Sequence, residues 1–461
     1  MKIFCTFVLI QFFVLSSYAQ TAEKYSKSEV LQDLSYLRES LEAAHFDLFR
    51  YTSEADFEWN YQQVKASITA DSLSYLDATK LFQAVVSKVN NGHTEIPFPG
   101  QAYGEYAYAG GTIFPLELAF EEGKALVKKN FSDTEEIQIG TELISINGKP
   151  IEEILKEIYP QVSAERLYFK LAKIELFSFP RYYWLVFGQQ EEFEVGIKTE
   201  SGIKSFNLKA VPVIEGYEMK RSEIFHREKS LTFFDEAAYL KIGSFSGDEA
   251  DFRGFVDSAF AEIKKRNFDN LIIDLRNNDG GNDSFSDYLV SYFADRPFRW
   301  NSSYSLKTSQ LLKEDIRSNR DTTNAFWASA LNKENGTVYP YEFGEYDPQP
   351  KEKRFEGNVY VLVNRQSHSQ SAVTAAQIQD YDFATIVGEE TGEYPSLMAS
   401  VFYISLPNTA ITLQLSKGYL VRVNGSTKNE GVIPDILIRD HLLDEKDEVL
   451  EGLLERLEAQ K

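Results

Sequence analysis

The spacing of apolar and polar residues predicts helices in the first hundred residues of the chain. Apolar side chains recur every three or four positions over 31–44, directly after a capping-box sequence at 26–29, a combination typical of an amphipathic helix. Similar helical patterns follow near 57–68 and 78–89. We therefore predict a helical N-terminal domain that ends at the turn and extended segment 90–96.

From about Gly110 the pattern changes to short apolar runs, which are typical of strands. Such runs lie at 114–120, 125–127 and 193–213. The pair Asn147-Gly148 is a strong tight-turn signal after a further strand, and residues 151–158 show a helical pattern. The middle of the chain is therefore predicted to be rich in β-structure.

The last large region alternates predicted strands with predicted helices. The strands are indicated at 238–242, 270–275 and 359–364, and the helices at 252–265 and from Ala372 onward. Such alternation favours an α/β core. The stretch 296–355 interrupts it with polar, aromatic and irregular sequence. Loops of that length are often functional, and an ordered decoration of the core is the alternative.

Together these patterns predict an α/β protein of the multidomain α+β kind. The 461 residues suffice for two or three domains, and a hydrophobic content of 43% supports packed cores. The predicted parts are a targeting segment at 1–20, a helical domain at 21–105, a β-rich domain at 106–215, an α/β core at 216–445 and a C-terminal helix at 446–461.

The charge of the chain argues against two classes of partner. Its 70 acidic and 48 basic residues give a formal net charge of -22. Nucleic acids and anionic membranes attract basic patches, so neither is expected as the main partner.

The first twenty residues have the three parts of an export signal. Lys2 supplies the positive end, 3–15 is an apolar core too short for a confident membrane span, and Ser17-Tyr18-Ala19 fits a cleavage site. The alternative is an N-terminal helix of the mature fold. Cys5, the only cysteine, lies in this segment, so the mature chain would contain no disulfide and no thiol nucleophile. We expect an exported, soluble protein, periplasmic or extracellular.

Candidate chemistry lies where the strand 359–364 gives way to a helix. Ser367, Ser369 and Ser371 follow the strand closely. A serine hydroxyl at such a junction is presented at the end of a sheet, and a helix N-terminus favours negative charge developing beside it. The alternative is that these serines cap the helix.

A serine nucleophile needs a base and donors for an oxyanion. The histidines are His45, His93, His226, His368 and His441. His93 lies in a turn that contains glycine, where working side chains are common, whereas the side chain of His368 should point away from that of the adjacent Ser369. A structural role is the alternative for each histidine.

The segment Asp279-Gly280-Gly281 follows a predicted strand. Glycines there allow backbone N–H groups to approach a ligand, as in an oxyanion hole, or simply form a tight turn. The sequence contains no dinucleotide fingerprint, no phosphate loop and no convincing metal-ligand spacing, so no cofactor or metal is expected.

Four of these segments resemble motifs of the S41 serine peptidases, which include the C-terminal processing and tricorn-type proteases. They are 272–281, the strand-and-glycine motif; Ser369 with 384–392, the nucleophile segment; 430–436, the closing motif; and 91–94, the histidine motif of the tricorn-like branch. Residues 139–148 resemble part of a PDZ domain, a module that binds peptide ends.

The resemblance implies an exported serine endopeptidase that acts on polypeptides. Ser369 would be the nucleophile, His93 the general base and Glu430 the residue that orients the base. Ser371 does not fall at the matching position. The implied oxyanion donors are the backbone N–H groups of Gly280 or Gly281 and of Gln370.

The chain departs from the family pattern at several positions. The processing branch has a catalytic lysine after its Gly-Glu-x-Thr motif, but 393–396 contains none, which favours the histidine mechanism. Ala372 replaces a frequent glutamate, Gly92 a serine found before the histidine in some members, and Lys428 an acid of the closing motif. These departures motivate a second hypothesis, a catalytically inactive protein that binds peptides or hydrophobic ligands on the same scaffold.

Overall fold

The computed structural model describes residues 24–221, 228–443 and 446–460. The predicted targeting segment at 1–20, with Cys5, and His226 lie outside these residues. Within the described part of the chain, no helix combines the length and the apolar character that crossing a bilayer requires.

The N-terminal part is helical, as predicted. Its elements are β1 (Lys24–Ser26), α1 (Lys27–Ala44), α2 (Glu54–Ser67), β2 (Ser72–Ser74), α3 (Tyr75–Val86), a 3-10 turn (Ser87–Val89) and α4 (Gly100–Tyr108). The predicted capping box forms at Ser26 and Glu29. Helices α2 and α3 begin three residues before the apolar pattern does, because Ser53 and Ser74 cap them through their side chains.

The middle part contains more helix than its sequence pattern predicted. Its strands are β3 (Thr112–Ile113), β4 (Leu116–Glu121), β5 (Lys124–Asn130), β6 (Leu143–Ile146), β7 (Lys149–Pro150), β8 (Glu192–Thr199), β9 (Gly202–Lys209) and β10 (Val211–Pro212), and its helices are α5 (Ile151–Ile158), α6 (Leu167–Phe177) and α7 (Phe179–Phe187). Helix α5 agrees with the prediction. Helices α6 and α7 are rich in aromatic residues and buried on several sides, so they show no polar stripe. The likeness of 139–148 to a PDZ domain stays a prediction.

The α/β core is confirmed as a sheet covered on both faces. Its strands are β11 (Ser230–Phe233), β12 (Ala238–Lys241), β13 (Asn270–Asp274), β16 (Asn358–Val363), β17 (Thr385–Gly388) and β20 (Ile436–Leu437), adjacent in that order and parallel except for β11. The helices are α8 (Glu249–Arg266), α9 (Asp283–Val290), α12 (Gln370–Asp380) and α13 (Glu448–Glu458). Leu271 and Ile273 of β13 pack toward α8, α9 and α12, and Ile272 between them packs toward α13.

The stretch 296–355 is an ordered decoration with secondary structure of its own. It contains β14 (Ser303–Lys307), α10 (Gln310–Asn319), α11 (Ala325–Leu331) and β15 (Val338–Pro340). With β18 (Leu397–Ser405) and β19 (Thr412–Val421) it forms a second sheet in the order β15-β14-β19-β18. This sheet shares one hydrophobic cluster with α1 to α3, and it therefore ties the N-terminal helices to the core.

A buried cluster of charges joins the middle part to the core beside the nucleophile segment. The Arg365 guanidinium lies 2.7 Å from Glu175 of α6, 2.6 Å from Glu121 of β4 and 3.2 Å from Glu389. All four side chains are buried. A buried cation facing several carboxylates fixes the relative position of the elements that carry them, since separating these elements would break buried ion pairs.

Candidate active site

Ser369 occupies the junction between β16 and α12 in a strained conformation. Its φ of 55° lies in the left-handed region, and its side chain makes no capping bond to α12. The hydroxyls of Ser367 and Ser371 instead donate to the carbonyl of Leu275, over 2.7 and 3.3 Å. None of the three serines caps the helix through its side chain, so the alternative that these serines are helix caps is wrong.

Gly280 leaves the space in which Ser369 sits. Its φ is +89°, and a Cβ added there would lie 2.6 Å from both the Ser369 Cβ and the Gln370 backbone nitrogen. Any other residue would therefore push the serine out of position. The glycine turn after β13 and the turn after β16 fit together because their strands are parallel neighbours.

His93 reaches Ser369 from the N-terminal part of the chain. Its Nε2 lies 2.9 Å from the Ser369 Oγ, although 276 residues separate the two. Two contacts hold the loop: the Gln414 side chain donates to the His93 carbonyl over 3.0 Å, and Lys173 donates to the Gly92 carbonyl over 3.2 Å. The structure thus brings together the two side chains for which the sequence resemblance implied the roles of nucleophile and base.

The carboxylate beside His93 belongs to Glu393, not to Glu430. Glu393 Oε1 lies 3.0 Å from His93 Nδ1, and Glu393 Oε2 accepts a hydrogen bond from the Ser369 backbone N–H. The side chain of Glu430 is 45% exposed and faces Lys428 at 3.6 Å. Glu393 is the first residue of 393–396, the segment that lacks the lysine of the processing branch, and an acidic residue in that segment was the available sequence signal.

The charges around His93 favour its role as a proton acceptor. Burial lowers the pKa of His93, but the charges of Glu393 and Glu165 together raise it by more, so this pKa lies above its ordinary value. Burial raises the pKa of Glu393, but the facing His93, with His368 and the Ser369 N–H, lowers it overall. An ionised carboxylate opposite Nδ1 keeps the proton on that nitrogen, which leaves the Nε2 lone pair directed at Ser369.

A second carboxyl group, which the sequence did not reveal, supports the histidine loop. Glu165 Oε1 accepts hydrogen bonds from the Gly92 N–H over 2.7 Å and from the Asn91 side chain over 3.0 Å. Burial, and then the charge of Glu393, raise the pKa of Glu165. A Cβ at Gly92 would lie 2.9 Å from a ring carbon of Phe169 and 3.1 Å from Glu165 Oε2. A side chain at position 92 would therefore crowd both residues.

The three predicted oxyanion donors separate into two groups. The Gly280 N–H donates to the Asn278 side chain over 2.8 Å, so Gly280 acts as a spacer under Ser369. Gln370 opens α12, and its N–H therefore has no acceptor within the helix. Gly281 and Gln370 line a cavity of about 620 Å³ together with Ser369 and His93.

The other described histidines have different surroundings. His45 is buried, which lowers its pKa to about 4, and its ring lies 3.4 Å from the Asn91 side chain. His368 Nδ1 lies 3.1 Å from the Gln366 carbonyl. His441 forms an exposed cluster with Asp440 and Glu448 near the start of α13, with ligand atoms within 4.8 Å of one another. Exposed clusters of this kind are common without a metal, and this one lies apart from the residues lining the cavity.

Comparisons with known proteins agree with the fold and with the sequence motifs. The family model of peptidase family S41 matches residues 236–438. Mature CPAF complexed with lactacystin is similar over 94% of this chain and 97% of its own, with a TM-score of 0.63 and 19% identity. Mature CPAF matches over 94% and 96%, with a TM-score of 0.63 and 18% identity. At such identities the likeness shows the fold. Residues 236–438, which include Ser369 and Glu393, are thus similar to peptidase family S41.

Proposed function

We propose that this peptidase is a serine endopeptidase that hydrolyses peptide bonds through Ser369, His93 and Glu393. The observation that carries the proposal is one continuous chain of contacts. The Ser369 hydroxyl lies 2.9 Å from one ring nitrogen of His93, and the buried Glu393 carboxylate lies 3.0 Å from the other. Hydroxyl, imidazole and carboxylate in this order can activate a serine at neutral pH.

The reaction follows from the positions of these groups. The Ser369 Oγ attacks the scissile carbonyl while His93 Nε2 takes its proton, and the bond to the amine breaks when His93 returns that proton to the leaving group. Glu393 stabilises the imidazolium between these steps. The N–H groups of Gln370 and Gly281 are the proposed donors to the oxyanion. Water then hydrolyses the acyl-enzyme by the same route.

Glu393 takes the role that the family resemblance had suggested for Glu430. Only a group that faces Nδ1 can fix the tautomer of His93, and Glu430 is directed toward Lys428 instead. Two of the departures that motivated an inactive binding protein, Gly92 and Lys428, then no longer argue against catalysis. Glu165 occupies the space beside Gly92, and Glu393 supplies the acid that Lys428 replaces in the closing motif.

Labelling with a fluorophosphonate, which reacts with activated serines, tests this proposal. The wild-type protein should be labelled, and Ser369→Ala and His93→Ala should not be. Ser371→Ala is the matched control, because that hydroxyl is buried two residues away and bonds only to a backbone carbonyl. Folded wild-type protein that takes no label would favour the inactive binding protein.

We also propose that the chain is exported to the periplasm or the extracellular space after removal of residues 1–20. The support is the order of positive end, apolar core and cleavage site in the sequence. Sequencing the N-terminus of the mature protein from the cell exterior or periplasm tests this. A mature chain that still begins at Met1 would refute it.

A further inference from the structure

The ordered decoration at 296–355 supplies the aromatic wall of the cavity beside Ser369. Six aromatic side chains from this stretch line it: Trp300, Tyr304, Phe326, Trp327, Tyr341 and Phe343. Ser369 and His93 lie on the same cavity. Whatever fills it is therefore adjacent to the bond that Ser369 would attack.

The aromatic side chains that line the cavity are preorganised, because their rings pack against one another. The Phe343 ring centroid lies 5.0 Å from that of Trp300 and 5.1 Å from that of Tyr304, and Phe326 and Tyr341 are 5.0 Å apart. Phe343 remains 42% exposed at its rim position in the cluster. Rings that are already fixed by their neighbours lose little conformational entropy when a further ring packs against them.

The cations of the cavity are already engaged by the protein. The Lys417 ammonium donates to the backbone carbonyls of 400–401, and burial lowers the pKa of Lys417 to about 7. Arg320 pairs with Asp315 at 3.4 Å. Both cations also lie 5.1 Å from the Trp327 ring. An incoming carboxylate would lose its hydration beside a lysine that already bonds to backbone carbonyls and an arginine that already faces Asp315, whereas an apolar ring would meet matching surface.

We propose that this cavity is the specificity subsite of the peptidase and that it takes a large aromatic side chain next to the scissile bond. The proposal rests on the proposed function, because it assigns the substrate class of the same site. An aromatic residue at that position buries its ring among Trp300, Phe326 and Phe343, which an alanine cannot do. Contacts of this size discriminate between substrates by about 100-fold in kcat/KM.

Two measurements separate the subsite from the chemistry. Quenched fluorescent peptides that differ at one position, with Phe, Ala, Glu or Lys, give kcat/KM for the wild-type protein. Ser369→Ala, mixed with the same peptides, gives their binding without cleavage from the change in tryptophan fluorescence. We expect kcat/KM for the Phe peptide to exceed kcat/KM for the Ala peptide by about 100-fold. We also expect the Phe peptide to bind Ser369→Ala more tightly than the Ala peptide does. Equal binding of all four peptides, or preference for Glu or Lys, would overturn the proposal.

Filling the cavity provides the second test. Ala399 lines it from β18, so Ala399→Phe should remove the preference for Phe peptides, seen as similar kcat/KM values for the Phe and Ala peptides. Should Ala399→Phe fail to fold, Phe343→Ala at the partly exposed rim should weaken the same preference. A preference that survives in a folded variant of either kind would refute the assignment. Loss of labelling in the wild type, by contrast, would refute only the proposed chemistry, because binding to Ser369→Ala is measured independently.

Discussion

Replacing Glu393 by glutamine should disable the proposed peptidase by reversing the tautomer of His93. The Ser369 N–H needs the acceptor that Glu393 Oε2 now provides, so the amide oxygen of the new side chain should stay there. The amide nitrogen then faces His93 Nδ1 and donates to it. The imidazole proton is left on Nε2, where it points at the Ser369 hydroxyl, and the lone pair that should take the serine proton is lost.

The size of the effect follows from the distance between the two charges. At 3.0 Å, and with an effective dielectric constant of about 20, a carboxylate stabilises an imidazolium by about 5 kcal/mol. Because about 1.4 kcal/mol corresponds to a factor of ten, kcat should fall by about 10³- to 10⁴-fold. A loss of this order matches what removal of the charge costs in other Ser-His-acid sites.

Hydrolysis of a quenched peptide, with active sites counted by titration, measures the change. Glu430→Gln is the matched control, because its exposed pair with Lys428 contributes less than about 1 kcal/mol and its loss should leave kcat within about twofold. The reasoning fails if Glu393→Gln keeps kcat within tenfold of the wild type, or if Glu430→Gln is damaged as severely.

Four further predictions concern the surroundings of the site and the stability of the fold. Glu165→Gln keeps an acceptor for the Gly92 N–H and should retain most activity, whereas Glu165→Ala leaves that N–H unpaired and should lower kcat/KM about tenfold or more. Since the pKa of His93 is raised, kcat/KM should increase with pH through an apparent pKa above about 6.5, as the imidazole loses its proton. Burial raises the pKa of Asp287 to about 7, so between about pH 4 and 7 the folded chain holds a proton that the unfolded chain has lost. The free energy of unfolding should therefore fall as the pH rises over this range. Urea unfolding of Asp287→Asn should show a weaker dependence of this free energy on pH. Arg365→Met removes the cation that Glu175, Glu121 and Glu389 share, of which only the last two still face Arg439, and it should lower the free energy of unfolding by about 3–5 kcal/mol.

Each of these predictions has an outcome that would contradict it. Equal loss in both Glu165 variants would mean that its charge, not its acceptor oxygen, is required. A pH profile centred below the ordinary histidine value would show that burial outweighs Glu393. If the free energy of unfolding of Asp287→Asn depends on pH as strongly as that of the wild type, another group is responsible for the titration. Arg299→Met, which removes exposed ion pairs with Glu342 and Glu345, is the control for Arg365→Met and should be nearly neutral.

Local patterns in the sequence were sufficient for the α/β core, whereas the resemblance to a family was needed to select Ser369 and His93 among several serines and histidines. The strand before Ser369 and the turn that carries His93 are both visible as short-range signals. The aromatic helix α7 was missed because a helix buried on several sides has no polar stripe, and its rings favour strands in isolation.

Local sequence patterns could not predict which carboxylates contact the loop that carries His93. Glu393 follows Ser369 by 24 residues in a loop with no periodicity, and Glu165 contacts Gly92 across 73 residues. What selects Glu393 over Glu430 is which carboxylate the folded chain buries against Nδ1. That choice depends on the packing of several loops at once, so it becomes visible only in three dimensions.

The proposed base lies outside the stretch that identifies the family. Residues 236–438 include Ser369 and Glu393, but His93 comes from the N-terminal helical part and is held there by Lys173 of α6 and Gln414 of β19. A homologous gene can therefore keep a complete family match and still have lost its activity through changes near its start. For the same reason, an inhibitor that separates the loop 90–96 from β19 would silence the protein without occupying its cavity.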